Sequence, residues 1–343
     1  MKNLTYLAPA YYKEFSCKAD KCRNTCCSGW RIPISKDEYL KLMTVNCSKD
    51  LDRRLQSAFV TPEYVSDECY RYVSFNWLGS CPIQDKGLCT LFSEKGESFI
   101  PKTCRLFPRS LKSVNGVNVA NCSCSCERVV EMLYEESDLN LEEIQLDEQP
   151  QLTYSVSDED IRQIKIFSSL IKDQSTTLAE SIAEICQIIN KDEFDKDFKD
   201  DQDMALTIAI DLFKRIAAAD ERLSAVAYDI ENRYAHNMDM FVKDKNTFEK
   251  EYPDWMRFLE RLINNSMIYE CFPFVDERAD KTAVYKGLCF CYGLLRLICI
   301  GCFTKGKEKL IDTIALLFHV IDHTTFYYNV SVLSENAAVV LKL

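Results

Sequence analysis

TAVYKGLCFCYGLLRLICIGCF, residues 282–303, is the most apolar stretch of this 343-residue chain. It is as long as a membrane span. Lys286 and Arg296 lie inside it, however, and two cations within lipid are costly. The stretch therefore reads as the buried central helix of a globular domain, and no membrane partner is expected.

Working outward, amphipathic segments recur at about 175–190, 202–218, 220–235, 254–271 and 307–323, with apolar residues at three- and four-residue intervals. The segment SDEDIRQIKIFSSLIKD opens with Ser157 and Asp160 at capping-box spacing. The spacing predicts an all-helical domain over 157–343. Residues 137–156 are acidic and weakly periodic, which predicts a linker. Upstream, RIPIS (31–35) reads as a brief strand, and LKSVNGVNVANC (111–122) alternates around Asn-Gly, a hairpin signal.

Residues 1–136 differ in kind. Twelve of the 18 cysteines fall within residues 1–126, whose regular elements look short, so something other than a large core must pin the backbone. The expected fold is mainly α: a small irregular cysteine-rich metal module with a short β-hairpin (1–136), packed on the helical domain. Nine glycines and no D/E-x-G-x-G-x-G run argue against a glycine-rich nucleotide-binding α/β fold.

Charge divides at nearly the same place. Residues 1–126 carry 18 basic and 12 acidic groups, whereas the rest, at 24 against 41, holds the whole excess of the net −11. Solvated helix faces account for the acidity in the plainest reading; the sharper reading is a field that draws a lysine-bearing partner. No basic stripe with interleaved aromatics appears, so no nucleic acid is expected. The first residues, MKNLTYLAPAYYKEF, hold no apolar run of signal-peptide length, so a cytoplasmic location is expected. Thiols stay reduced there, and the cysteines are not read as a disulfide framework.

Three readings compete for the clustered cysteines. Isolated ones such as Cys186, Cys271 and Cys299 suit buried hydrophobes. Zinc wants paired C-x2-4-C motifs, and CKADKCRNTCC (17–27) is not that pattern. An iron–sulfur cluster tolerates uneven spacings and ligands from separate loops, and it is the favoured reading.

CKADKCRNTCCSGWRIPIS, CPIQDKGLCTLF, KTCRLFPR and SCERVVEML, in that order, resemble the flagellin lysine-N-methylase family. So do MIYECFPFVDERADKTAVYKGLCFCYGLLRLICIG and IDHTTFYYNV further on. The amino-terminal motifs are shared in part with putative zinc- or iron-chelating proteins. The resemblance implies S-adenosylmethionine-dependent methylation of flagellin lysines by a protein containing a [4Fe–4S] cluster. It also implies Cys17, Cys22, Cys26, Cys27, Cys81, Cys89, Cys104 and Cys126 as the metal cysteines. Glu127 stands where family members usually have proline. The alternative is a non-catalytic zinc- or iron-chelating or redox-sensing protein whose helical domain binds a partner.

Further candidates follow from the chemistry. Arg105 and Arg109 flank Cys104 and could fork a donor carboxylate, or neutralise an anionic cluster. Trp30 could stack on a sulfonium, or simply cover the metal site. His319 and His323, at i, i+4, are expected to share a helix face rather than bind metal. Glu270 and Asp276 are candidates for holding the amine proton, and no catalytic base is assigned.

Overall fold

The structure, a computed structural model, describes residues 3–28, 30–77, 79–136, 139–191, 194, 201–218, 220–274, 279–333 and 337–343. The chain forms two compact units, one of Ser16–Arg109 and one of Met1–Phe15 with Ser110–Leu343.

In the larger unit the helix Lys281–Cys302 runs through the core, with every residue from Ala283 to Cys302 buried. It is apolar and long enough to cross a membrane by length and composition, but 89% of its most apolar window is covered by the rest of the protein. Arg296 is tolerated there because its guanidinium pairs with Glu249 and lies 3.7 Å from the centre of the Trp255 ring. Gly287 admits a close neighbour: a Cβ at that position would stand 2.2 Å from Cδ1 of Tyr327.

The other helices follow the periodicity: Asp158–Ile171, Leu178–Ile189, Gln202–Ala217, Glu221–Tyr234, Trp255–Glu270 and Lys307–His323. Ser157 and Asp160 do form a capping box. Further helices lie at Tyr11–Glu14, Glu127–Glu135, Met238–Glu251 and Phe326–Ser331.

The larger unit is not all-helical. It carries a five-stranded sheet in the order Leu152–Tyr154, Arg109–Val114, Val117–Cys122, Leu4–Pro9, Leu141–Leu146. The expected hairpin is present, with Asn115 at φ 47° and Gly116 at φ 82°, the left-handed pair a type I′ turn requires. It belongs to this unit rather than to a cysteine module. The strand Leu4–Pro9 pairs parallel with Val117–Cys122 at Leu7 and Val119, and antiparallel with Leu141–Leu146.

Two boundaries therefore need correction. Residues 137–156 are not a linker, since they supply two strands. Residues 1–15 and 110–136 do not join the cysteine-rich segment, since their strands and the Glu127–Glu135 helix close the sheet and core of the helical unit. The acidic face of LEEIQL hid the strand: only Ile144 there is buried.

The Ser16–Arg109 unit is built from short pieces. Pro33–Ile34, Arg71–Val73 and Phe59–Val60 form a three-stranded antiparallel sheet with Arg71–Val73 central. Helices Lys36–Met43 and Lys49–Ser57 are capped by Ser35 and Ser48. Among the described residues its buried apolar core is ten residues, including Ile34, Leu51, Leu55 and Leu91, which is thin for a unit of this length.

Candidate functional site

Two chemically distinct clusters stand out, one in each unit. In the smaller unit the chain brings Cys27, Cys81, Cys89 and Cys104 into one electrostatic neighbourhood. Backbone pairing does the positioning. The Cys81 amide donates to the Cys27 carbonyl at 2.8 Å, and Gln84 Nε2 donates to Thr25 Oγ1 at 2.8 Å. Cys89 ends a two-residue strand and precedes the helix Thr90–Lys95; Cys104 lies in the short helix Lys102–Leu106.

Burial pushes the Cys81 thiol up to about 12 and the charges of Cys27 and Cys89 add to it. Burial also raises Cys89, and it raises Cys104 further still, where the other three thiols contribute. Cys27 alone goes down, to about 7, because the neighbouring Cys26 thiol hydrogen-bonds to it. Four crowded thiols without a cation repel one another's charge; a bound positive centre would reverse the sign.

Tested for an iron–sulfur cluster, the set fits in donor chemistry: four soft donors from separate loops. Among the described residues, no three His, Cys, Asp or Glu side chains stand in the arrangement of a bound ion.

The remaining sequence candidates scatter. Cys17 is exposed, and Cys22 follows the short turn Ala19–Lys21. Cys126 belongs to the other unit, where it precedes the helix Glu127–Glu135. Trp30 donates from Nε1 to the Cys26 carbonyl at 2.9 Å and packs on Phe107 with ring centres 5.6 Å apart. Arg105 lines a cavity of about 180 Å³ together with Glu38, Lys41 and Lys102. Arg109 opens the strand Arg109–Val114.

The second cluster was not foreseen. In the larger unit, the loop after the hairpin carries Ser123, Cys124 and Ser125, all buried. Ser123 Oγ donates to Asp322 Oδ2 at 2.5 Å, and Ser125 Oγ lies 2.9 Å from His323 Nε2. Asn265, from the Trp255–Glu270 helix, donates to the Cys122 carbonyl at 3.0 Å and to Cys124 Sγ at 3.1 Å. Tyr11 donates its hydroxyl to Asn121 or Asn265, each at 2.6 Å.

Burial raises the Asp322 carboxyl to about 7, against the opposing pull of the Ser123 hydroxyl and the Lys112 charge. His319 and His323 are both held neutral: burial lowers them to about 4 and about 3. They share a helix face, with ring centres 5.3 Å apart. Glu270 lies at the end of its helix, half-buried; Asp276 lies outside the described residues. The one sequence signal for this cluster was the proximity of SCSC and IDHTTFYYNV to helix ends, and nothing in either stretch announces that they meet.

Residues 134–335 match the family described as the FliB lysine N-methylase C-terminal domain, which covers more than half of the chain, and the protein belongs to that family. It is 28% identical over 141 residues to the lysine-N-methylases of Salmonella typhimurium and Salmonella choleraesuis, a stretch covering 40% of this chain and 34% of each of those proteins. It is 27% identical over 141 residues to the flagellar biosynthetic protein FliU of Salmonella muenchen, 82% of which is covered. The match thus spans about a third of the length of the two lysine-N-methylases. No solved structure matches.

Proposed function

We propose that the protein is a cytoplasmic protein-lysine N-methyltransferase that moves a methyl group from S-adenosylmethionine to lysine side chains of flagellin. The observation that supports this most is family membership across residues 134–335. The flagellar name of the FliU relative supports the substrate, and the acidic balance of the larger unit suits a lysine-bearing partner.

The chemistry sets what these residues must do. A lysine amine is nucleophilic only when neutral, with a reference pKa near 10.4. The site must strip its proton and hold it in line with the sulfonium methyl. In this reading Cys27, Cys81, Cys89 and Cys104 hold a [4Fe–4S] cluster. When bound, the cluster would supply a cross-link among segments that have little core of their own, and with every iron held by a thiolate its part would be structural or electronic. Trp30, bonded to the Cys26 carbonyl, would cover the cysteine site, and Arg105 with Lys41 and Lys102 would offer positive charge to a carboxylate.

The test is methyl transfer from labelled S-adenosylmethionine to flagellin by anaerobically prepared, iron-loaded protein, read by mass spectrometry. Lysine mass increments of one or more methyl groups are expected. Unmodified flagellin in the presence of iron-loaded protein would sink the proposal.

A second reading draws on one observation: the four thiols lie outside the region of the family match. A metal-chelating or redox-sensing unit joined to a partner-binding helical unit would bind iron or zinc and transfer no methyl. Metal and acid-labile sulfide analysis beside the methylation assay separates the two.

A further inference from the structure

The cluster around Asp322 has features that packing alone does not explain. Asp322 Oδ2 is anchored by Ser123 and the amides of Ser125 and Cys124 face the carboxylate, but Oδ1 is buried and completes no hydrogen bond of full geometry. Close by, Ser266 is 3% exposed and its Oγ faces the Tyr327 hydroxyl without completing a bond. Native interiors rarely leave such groups unmade, and each calls for an explanation. Tyr327 is buried beside both, while Asp322, Tyr269 and Glu270 keep partial exposure.

The surroundings select a cation. Lys112 lies 4.8 Å above the Tyr269 ring and its charge favours ionised Asp322, yet among the described residues no ion pair joins them. Lys112 thus helps keep the carboxylate charged without covering Oδ1. A free carboxylate oxygen, tyrosine faces and an unfilled hydroxyl are what an alkylammonium group needs.

We infer that this cluster is an amine-binding site that takes the ε-ammonium of a substrate lysine, with Asp322 Oδ1 accepting its proton and Ser266 Oγ holding the nitrogen. The inference rests on the methyltransferase reading for its substrate. The proton passes from nitrogen to Oδ1. The freed lone pair then forms the N–C bond to the methyl carbon of a sulfonium donor. The C–S bond breaks with its electrons remaining on sulfur, and the proton leaves Asp322 to solvent. The raised carboxyl supports this, since it narrows the gap to the amine. The titratable groups that face Asp322 are Lys112 on its strand, Cys124 on the loop, Tyr269, Cys291 on the central helix and Tyr327.

The experiment uses n-butylammonium chloride as a lysine side-chain probe against full-length protein, with sodium chloride as the ionic control, read by calorimetry. Saturable binding is expected, weakened at least about 10-fold in Asp322→Asn and a few-fold in Ser266→Ala. Ser266→Ala removes an unpaired hydroxyl and so should fold, which keeps the test alive if Asp322→Asn does not. In the methylation assay, Asp322→Asn should fall by about 100-fold or more, and its residual rate should climb with pH past the point, near 7, where the parent levels off. Butylammonium binding no different from sodium, or equal in all three proteins, overturns the inference. Parent protein that binds butylammonium but methylates nothing overturns the methyltransferase reading and leaves the amine site standing.

Discussion

The two clusters are built on opposite terms. The thiols of the Ser16–Arg109 unit sit on short elements around a ten-residue apolar core. The Asp322 cluster sits in a unit whose central helix alone buries twenty consecutive residues. A thin core with crowded thiols gains stability when a metal centre ties its loops together. A thick core can instead carry an unpaired carboxylate oxygen, because the cost is spread over a large cooperative unit. On the readings proposed above, the first unit depends on a metal for structure and the second spends structure to present an amine site.

The largest expected effect breaks the comparison at the thiols. Replacing Cys81 and Cys104 together with serine removes two soft donors. Iron and acid-labile sulfide should fall to background in the anaerobically prepared protein. Amide exchange within Ser16–Arg109 should accelerate, whereas exchange in the central helix should not change. Retained iron at the parent level would remove these cysteines from the ligand set.

Next comes a steric test of the thick core. Gly287→Ala puts a Cβ 2.2 Å from Tyr327 Cδ1, and the ring must shift within a packed interior. A loss of about 3 kcal/mol is expected, at the upper end of overpacking costs. Urea unfolding followed by far-UV dichroism checks it. A change below about 0.5 kcal/mol would mean that the Phe326–Ser331 helix yields readily. Displacing Tyr327 should also weaken butylammonium binding, which ties the packing to the proposed site.

What the sequence disclosed follows from how local each feature is. Ser157 with Asp160, Asn115 with Gly116, and the apolar stripe of 282–303 are written within one or two turns of chain, and all three were legible. The strands Leu4–Pro9 and Leu141–Leu146 pair across more than 130 residues of chain and show alternate burial on one face only, so neither was. For the thiols, composition marked out a cysteine-rich region, but it could not tell Cys27, which the fold gathers with three others, from Cys17, which it leaves exposed. The Asp322 cluster joins sheet strands, a loop and four helices, and its residue types are unremarkable singly. Only tertiary structure could assemble it.

A third test asks what Asp322 costs. Its carboxyl titrates near 7 in the folded chain and near 3.9 unfolded. Below about pH 4 both states are protonated and the group is neutral to folding. Between about 4 and 7 the unfolded state alone ionises, so stability falls as pH rises, and the loss persists above 7. Asp322→Asn, which can still accept from Ser123, should be more stable than the parent at pH 8 by up to about 4 kcal/mol, and nearly equal to it near pH 4. Urea midpoints at the two pH values check the sign. An Asn variant less stable at pH 8 would mean the carboxylate has a partner that stabilises its charge.

The smallest effect compares like with like. Ser35 and Ser157 each form a capping box, with Glu38 and Asp160, one in each unit. Loss of either hydroxyl removes one amide acceptor and should cost about 1 kcal/mol. The consequences should differ. Glu38 also accepts from the Lys102 amide at 2.6 Å, on the helix that carries Cys104. Burial raises the Glu38 carboxyl, the Lys102 and Ser35 amides outweigh it, and the net result lies below the ordinary value. The Ser35 box thus links the first helix of the small unit to a proposed metal cysteine, whereas the Ser157 box stands at an exposed helix start. Ser35→Ala should therefore slow the return of iron to chelator-stripped protein, and Ser157→Ala should leave that rate untouched while lowering stability by a similar amount. Equal reloading rates in the two variants would show that the cap stabilises its helix without positioning Cys104.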